Sequence, residues 1–366
     1  MIGILKLRPT IKDIAKEAQV SPTAVSIVLK NKDTKRIGSE TRDRILEIAK
    51  RINYRPNYAA RALVHNKSST LGLIVTTLKN PFYAEISQEI IAYAEERGYS
   101  VIASSACGIA DELRSANNLL DRGIDGLIIC SAHRYDTVVD TLLNQGFPFV
   151  LAMRKVERNP GDPPVDQIET DNEGGAFLAV EHLIRLGHKR IAILIGDIQV
   201  STSFDRHLGA LAAFESYGLK VANDLMAYGD FERKTALQET LKLMRKPVPP
   251  TAIFAYNDYM ALGAIDALYE LGARVPEDVA VVGFDDIEMA GLPSVSLTTV
   301  AQKTANIGRL AVDVLLDKID GASPPGLKQI VLDPKLIIRR SCGFALGGYK
   351  LASKDPVFNA KIHERK

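Results

Sequence analysis

The 366-residue chain has no tryptophan, only three cysteines and an aromatic content of 6%. Cys107, Cys130 and Cys342 are scattered, odd in number and without metal-ligand spacing, which excludes a disulfide framework and argues against zinc. They are expected as small core residues in a reducing compartment. Long hydrophobic runs are missing too. The longest, such as Ile191–Ile195, fall far short of the roughly 20 residues that span a bilayer, and no secretory n-region, h-region and cleavage site open the chain. A cytoplasmic protein without a membrane partner is the expectation. Gly174-Gly175, Gly196 and Gly263 form neither a dinucleotide fingerprint nor a Gly-Lys-Ser/Thr phosphate loop, which disfavours a nucleotide-dependent enzyme. Ser203 and His207 share a helical face but have no acidic orienter. No catalytic residue, cofactor or metal is therefore expected.

What is present is a division of charge. Residues 1–67 hold fifteen Lys and Arg against six Asp and Glu, an excess of nine positive charges, while the rest of the chain is acidic by seven. A basic block beside an acidic body suits a polyanion-binding module joined to something that binds another partner. Within that block, Thr10-Ile11-Lys12-Asp13 has the form of a capping box, and Ile11, Ile14, Ala15 and Ala18 follow as one apolar stripe. Gln19-Val20 turns the chain before Ser21, as N-cap, and Pro22 open a second helix over Pro22–Leu29. Val25, Val28 and Leu29 would face inward and Thr23, Ser26, Ile27 and Lys30 outward. Ser39 is expected to cap a third helix that buries Ile45, Ile48, Ala49 and Ile52. Spacing alone would equally suit an αα-hairpin in a core. The basic side chains crowding the segment favour an element that enters a major groove.

From Leu71 onward, β-branched runs alternate with helical patterns: Leu71–Thr76, Val101–Ser105, Gly126–Ser131, Phe149–Ala152, Ile191–Ile195, Ala252–Ala255 and Val279–Phe284. Such alternation implies parallel, doubly wound sheets. Their grouping before and after about residue 170, with a late helix near Thr304–Asp317, suggests two lobes facing across a cleft. Ligands in such folds gather beyond the carboxyl ends of strands. The residues that follow are Asn80, Phe82 and Tyr83 after the first strand, Asp197, Thr202 and Arg206 after Ile191–Ile195, Asn257 and Asp258 after Ala252–Ala255, and Asp285 and Asp286 after Val279–Phe284.

Ile11-Lys12-Asp13-Ile14-Ala15, Val20-Ser21-Pro22-Thr23-Ala24-Val25-Ser26 and Tyr54-Arg55-Pro56-Asn57 resemble the head of the LacI/GalR family of bacterial transcription regulators, and the match continues over nearly the whole chain. The resemblance implies a helix-turn-helix head at 9–56, a hinge helix and linker at 57–69, a two-lobed periplasmic-binding-protein-like domain at 70–344 whose chain crosses back near 300, and a tail at 345–366. It gives base-reading roles to Pro22, Thr23, Ala24 and Ile27 and a minor-groove wedge to Leu63. Thr10, Ser21, Ser26, Lys30, Asn31, Tyr54, Asn57, Ala60 and Arg61 complete the candidate DNA-contacting set. Many relatives carry Arg or His where Ile27 stands, and Ile27 can only pack on apolar surface such as a thymine methyl. For the cleft, the resemblance carries effector roles to Phe82, Tyr83, Thr202, Arg206, Phe231, Asn257 and Asp285, and Asn80, from the strand-end reading, completes the candidate set. Relatives often have an Asp in the segment that reads Leu151-Ala152-Met153-Arg154, and Met153 removes one hydroxyl acceptor.

A repressor is thus expected, binding a near-palindromic double-stranded operator as a homodimer and answering to a small molecule, a carbohydrate or its derivative. A protein co-regulator in place of that effector, or a solute-binding receptor, would be the alternatives. The tail Gly343–Lys366 lacks Leu heptads, so a dimer is expected rather than a coiled-coil tetramer.

Overall fold

The computed structural model describes residues 9–29, 37–54, 67–321 and 328–344. It divides into two compact units, Met1–Ser68 and Ser69–Lys366. The candidate residues Lys30, Asn31, Asn57, Ala60, Arg61 and Leu63, and the tail 345–366, lie outside the described residues.

Helices α1 (Ile11–Ala18), α2 (Pro22–Leu29) and α3 (Ser39–Arg51) build the first unit around Ile14, Ala18, Val25, Val28, Ile45 and Ile48, all buried. The capping box forms as expected: the Thr10 amide donates to the Asp13 carboxylate (2.7 Å) and the Asp13 amide to the Thr10 hydroxyl (3.4 Å). Gln19 ends α1 at φ 54°, so a left-handed residue makes the turn, and the Ala24 amide donates to Ser21 Oγ (3.2 Å) at the start of α2. The third helix corrects one expectation. Gly38, extended at φ −61° and ψ 150°, occupies the cap position and supplies no side-chain bond, while Ser39 is already inside the first turn.

In the second unit, β1 (Thr70–Val75), α4 (Pro81–Glu96), β2 (Ser100–Ser105), α5 (Ile109–Asp121), β3 (Gly126–Ile129), α6 (Thr137–Gln145), β4 (Phe149–Ala152) and β5 (Gln167–Thr170) form one lobe. The other contains α7 (Asn172–Arg185), β6 (Ile191–Ile195), α8 (Ser201–Ser216), β7 (Met226–Tyr228), α9 (Arg233–Met244), β8 (Ala252–Ala255), α10 (Asp258–Glu270) and β9 (Ala280–Val282). After β10 (Thr299–Ala301) the chain returns to the first lobe for α11 (Thr304–Ile319) and β11 (Gln329–Leu332), then crosses again so that β12 (Lys335–Ile337) pairs antiparallel with β10. That last crossing is absent from the sequence reading.

The first sheet runs β11-β5-β4-β3-β1-β2 and the second β7-β6-β8-β9, all parallel. In both, the strand order reverses beside the first strand of the lobe, between β1 and β3 and between β6 and β8. Strands β3, β4, β6, β8 and β9 are buried at every residue, the pattern of sheets covered on both faces. Of the cysteines, Cys130 and Cys342 are core residues as expected; Cys107 is exposed, because it follows β2 in a loop.

Candidate effector site and DNA-reading head

The carboxyl ends of the strands in both lobes open on one cleft. Asn80, Phe82, Tyr83, Thr202, Arg206, Phe231, Asn257 and Asp285 all line it. Local structure explains how each arrives. Pro81 stands at the first position of α4, and Asn80 caps that helix by accepting the Phe82 amide (3.1 Å). Asn257 does the same for α10, accepting from the Met260 amide (2.8 Å). Both asparagines spend a carbonyl oxygen on a helix and keep their amide donors for the cleft. Phe231, left-handed at φ 58°, lies over Gly196; a Cβ at Gly196 would stand 2.2 Å from its ring, so only glycine admits the aromatic there.

Arg206 is buried and densely satisfied. Its Nε donates to Asn172 Oδ1 (2.9 Å), its Nη1 bonds the Tyr256 carbonyl and lies 3.5 Å from Asp285 Oδ1, and its guanidinium stacks 3.6 Å above the centre of the Phe284 ring. Asp285 also accepts from Gln302 Nε2 (2.6 Å). Burial pushes the Asp285 carboxyl up to about 7, against the pull of Arg206 and Gln302. Next to it Asp258, wholly buried, is held well above the usual carboxylate range by the same cause; it accepts the Thr299 hydroxyl (2.5 Å) and the Ile287 amide (3.0 Å). Asp258 thus braces the strand ends rather than facing the cleft, and Asp197 and Asp286 are likewise taken up, by the Gln199 amide and by Arg339.

Three further residues line the cleft that the sequence reading assigned no effector role: Met153, Arg154 and Gln302. Arg154 follows β4, so the strand-end rule applied to every strand would have found it. Gln302 follows the three-residue β10, too short to show a period. Arg154 ties the lobes together: Nη2 donates to the Tyr83 hydroxyl (2.6 Å) and Nη1 to the Thr202 hydroxyl (3.3 Å). Lys155 adds a second tie, its amide to Ser201 Oγ (3.1 Å) and its Nζ to Asp205 (2.7 Å). A third joins α4 to the other lobe, where the Glu288 amide donates to Glu85 Oε1 (3.1 Å).

In the head, Thr10, Ser21, Pro22 and Thr23 are exposed, while Ala24, Ser26, Ile27 and Tyr54 are half-buried, the last packed on the head's core. Pro22, Thr23, Ser26 and Ile27 bring no charge to α2, while Lys12, Lys16, Arg44 and Lys50 are exposed elsewhere in the head.

Residues 10–57 match the model of the bacterial regulatory proteins of the lacI family, and residues 180–342 that of a periplasmic binding protein-like domain. The chain is 35% identical over 312 residues to the HTH-type transcriptional repressor PurR of Aliivibrio salmonicida (strain LFI1238), covering 85% of this chain and 92% of that one. It belongs to the lacI family. The PurR of Haemophilus influenzae (strain PittEE) is also 35% identical, over 91% of this chain and 98% of its own. Among solved structures, the lac repressor dimer bound to operator and the anti-inducer ONPF superposes with a TM-score of 0.80 at 28% identity, covering 92% and 99% of the two chains. The regulator CelR in complex with cellobiose gives 0.68 at 30% identity, over 91% and 100%. The chain is accordingly a DNA-binding transcriptional repressor of this family, with a helix-turn-helix head and a periplasmic-binding-protein-like body. Among the described residues no helix is long and apolar enough to cross a membrane.

Proposed function

We propose that this lacI-family repressor acts as a homodimer on a near-palindromic operator and is controlled by a small-molecule effector, a sugar or sugar derivative, held between the lobes. The convergence of the strand-end residues of both lobes on one cleft carries the reading. Aromatic rings at Phe82, Tyr83 and Phe231 suit the apolar face of a sugar ring, and Arg206, Asp285, Asn80 and Asn257 suit its hydroxyls. The cellobiose-bound CelR and a lacI-family regulator from Enterococcus faecium with bound ribose support a carbohydrate-type ligand. One head reads few bases, so two related by a two-fold axis would supply selectivity. Ligand that prefers one arrangement of the lobes would shift the population of the DNA-binding form, through ties such as Arg154 to Thr202.

Operators selected from random DNA, followed by affinity titration, test this reading. Paired half-sites and a change of at least tenfold in affinity with a cleft ligand are expected; an asymmetric site or no ligand effect counts against it. Leu63→Ala tests the hinge: operator affinity falls while the melting temperature holds, and unchanged affinity would remove Leu63 from the wedge role.

A further inference from the structure

The cleft holds two buried guanidiniums against one carboxylate. Arg206 is answered by Asp285, by the Tyr256 carbonyl and by Asn172. Arg154, only 3% exposed, bonds two neutral hydroxyls, and among the described residues no carboxylate lies within ion-pairing reach of it. Acids nearby are engaged elsewhere. Asp205 and Glu169 face Lys155 at 2.7 and 4.0 Å, Asp136 accepts the amides of His133 and Val138, and Glu112 faces His133 at 3.8 Å. Guanidinium groups stay charged in proteins, and one removed from water without a counter-charge is disfavoured. The positive charge of Arg206 in the same cleft makes matters worse.

The two partners of Arg154 point the same way. The Tyr83 and Thr202 oxygens each accept from Arg154, so each keeps its own O–H as a donor. Two of five guanidinium N–H groups are thereby used and the rest remain. A guanidinium fork flanked by two hydroxyls that can each donate, with no carboxylate or carbonyl among them, is a receptor for oxyanions. Met153, which occupies the place of a possible acceptor, offers only a thioether.

Resting on the reading of the cleft as an effector site, we propose that the effector is an anion, a sugar derivative bearing a carboxylate or phosphate that Arg154 receives between Tyr83 and Thr202. Its hydroxyls then face Asp285, Asn80 and Asn257.

The test uses the full chain at constant ionic strength, with chloride as the reference. Melting temperature and calorimetric binding are measured with inorganic phosphate, gluconate, glucose 6-phosphate and glucose, for wild type, Arg154→Met, Arg154→Lys and Arg206→Ala. Expected is binding of gluconate or of the two phosphates but not of glucose, weakened at least tenfold in Arg154→Met and partly kept in Arg154→Lys. Gluconate alone would assign a carboxylate, the phosphates alone a phosphate. Ligand-free Arg154→Met should melt at or above wild type, since a charge without a counter-charge is removed; a clear drop would overturn the premise. Anions no better than chloride, or equally good in Arg154→Met, overturn the proposal. Glucose binding that needs Arg206, with the anions inert, overturns the anionic class and leaves the cleft reading intact. Binding indifferent to both arginine substitutions overturns both.

Discussion

The head and the cleft are built in opposite ways. In the head, Ser21, Pro22 and Thr23 are exposed and uncharged, and they ride on a core of Ile14, Val25, Val28 and Ile45. In the cleft, Arg206, Asn257 and Asp285 are buried, and the bonds that aim them also hold strand ends and helix caps in place, whereas the equally buried Arg154 bonds only two hydroxyls and stands apart from them. Function and stability should therefore separate in the head and travel together in the cleft.

Four substitutions can break or sharpen that contrast. Val25→Asp places an unpaired charge in the small core of the head and should cost roughly 4 kcal/mol, enough to unfold it. Operator binding is then lost, while ligand-induced stabilisation of the body in a thermal melt survives; loss of both would mean the units do not fold independently. Arg206→Ala leaves Asp285 buried beside an empty space and should cost about 3 kcal/mol with loss of effector binding. Calorimetry and denaturant titration on the same variant check both halves, and a stable variant without binding would show that even here the two properties separate.

A pH experiment comes next in size. Burial raises Glu169 to about 7, although Lys155 pulls it down. A carboxyl that holds its proton more tightly folded than unfolded gives the folded chain more bound protons between the ordinary carboxyl range and about 7, so raising pH through that window lowers stability. Asp285, also raised to about 7, adds in the same direction. His188, which burial lowers to about 4, acts in the opposite sense below its ordinary value, so the test is differential: between pH 5 and 8 the denaturant midpoint of Glu169→Gln should fall less, or rise more, than that of the wild type, and equal slopes contradict the burial assigned to Glu169. Last, Thr10→Ala removes the α1 cap and should cost about 1 kcal/mol of head stability with little change in the body.

The same contrast explains what could be seen in the chain before its structure. Head signals are local: Thr10 and Asp13 three apart, Ser21-Pro22 opening a helix, and apolar residues at helical spacing need no distant partner, so α1 and α2 were legible to the residue. Only the start of α3 slipped, where Gly38 caps through its backbone and has no side chain to signal it. In the body the long buried strands were legible because they read as continuous apolar runs, and the strand-end rule named seven residues that the fold brings to one cleft, Phe231 being supplied by the family resemblance. Four short or edge elements were not. β7, β10 and β12 have three residues each, and β11 alternates exposed and half-buried residues at the sheet edge. Arg154 was missed for a different reason. The strand-end rule was not carried to β4, and the partner that marks Arg154 as a cleft residue, Thr202, lies 48 positions away in sequence.

The coupling between cleft and operator is the central claim, and it is tested most directly by fluorescence anisotropy on a selected operator, with wild type and Arg206→Ala, in the presence and absence of a ligand that raises the melting temperature. The account predicts at least a tenfold ligand-dependent change in operator Kd for the wild type and none for Arg206→Ala, which should bind the ligand-free operator normally. A ligand that binds the cleft yet leaves the wild-type operator affinity unchanged would contradict it.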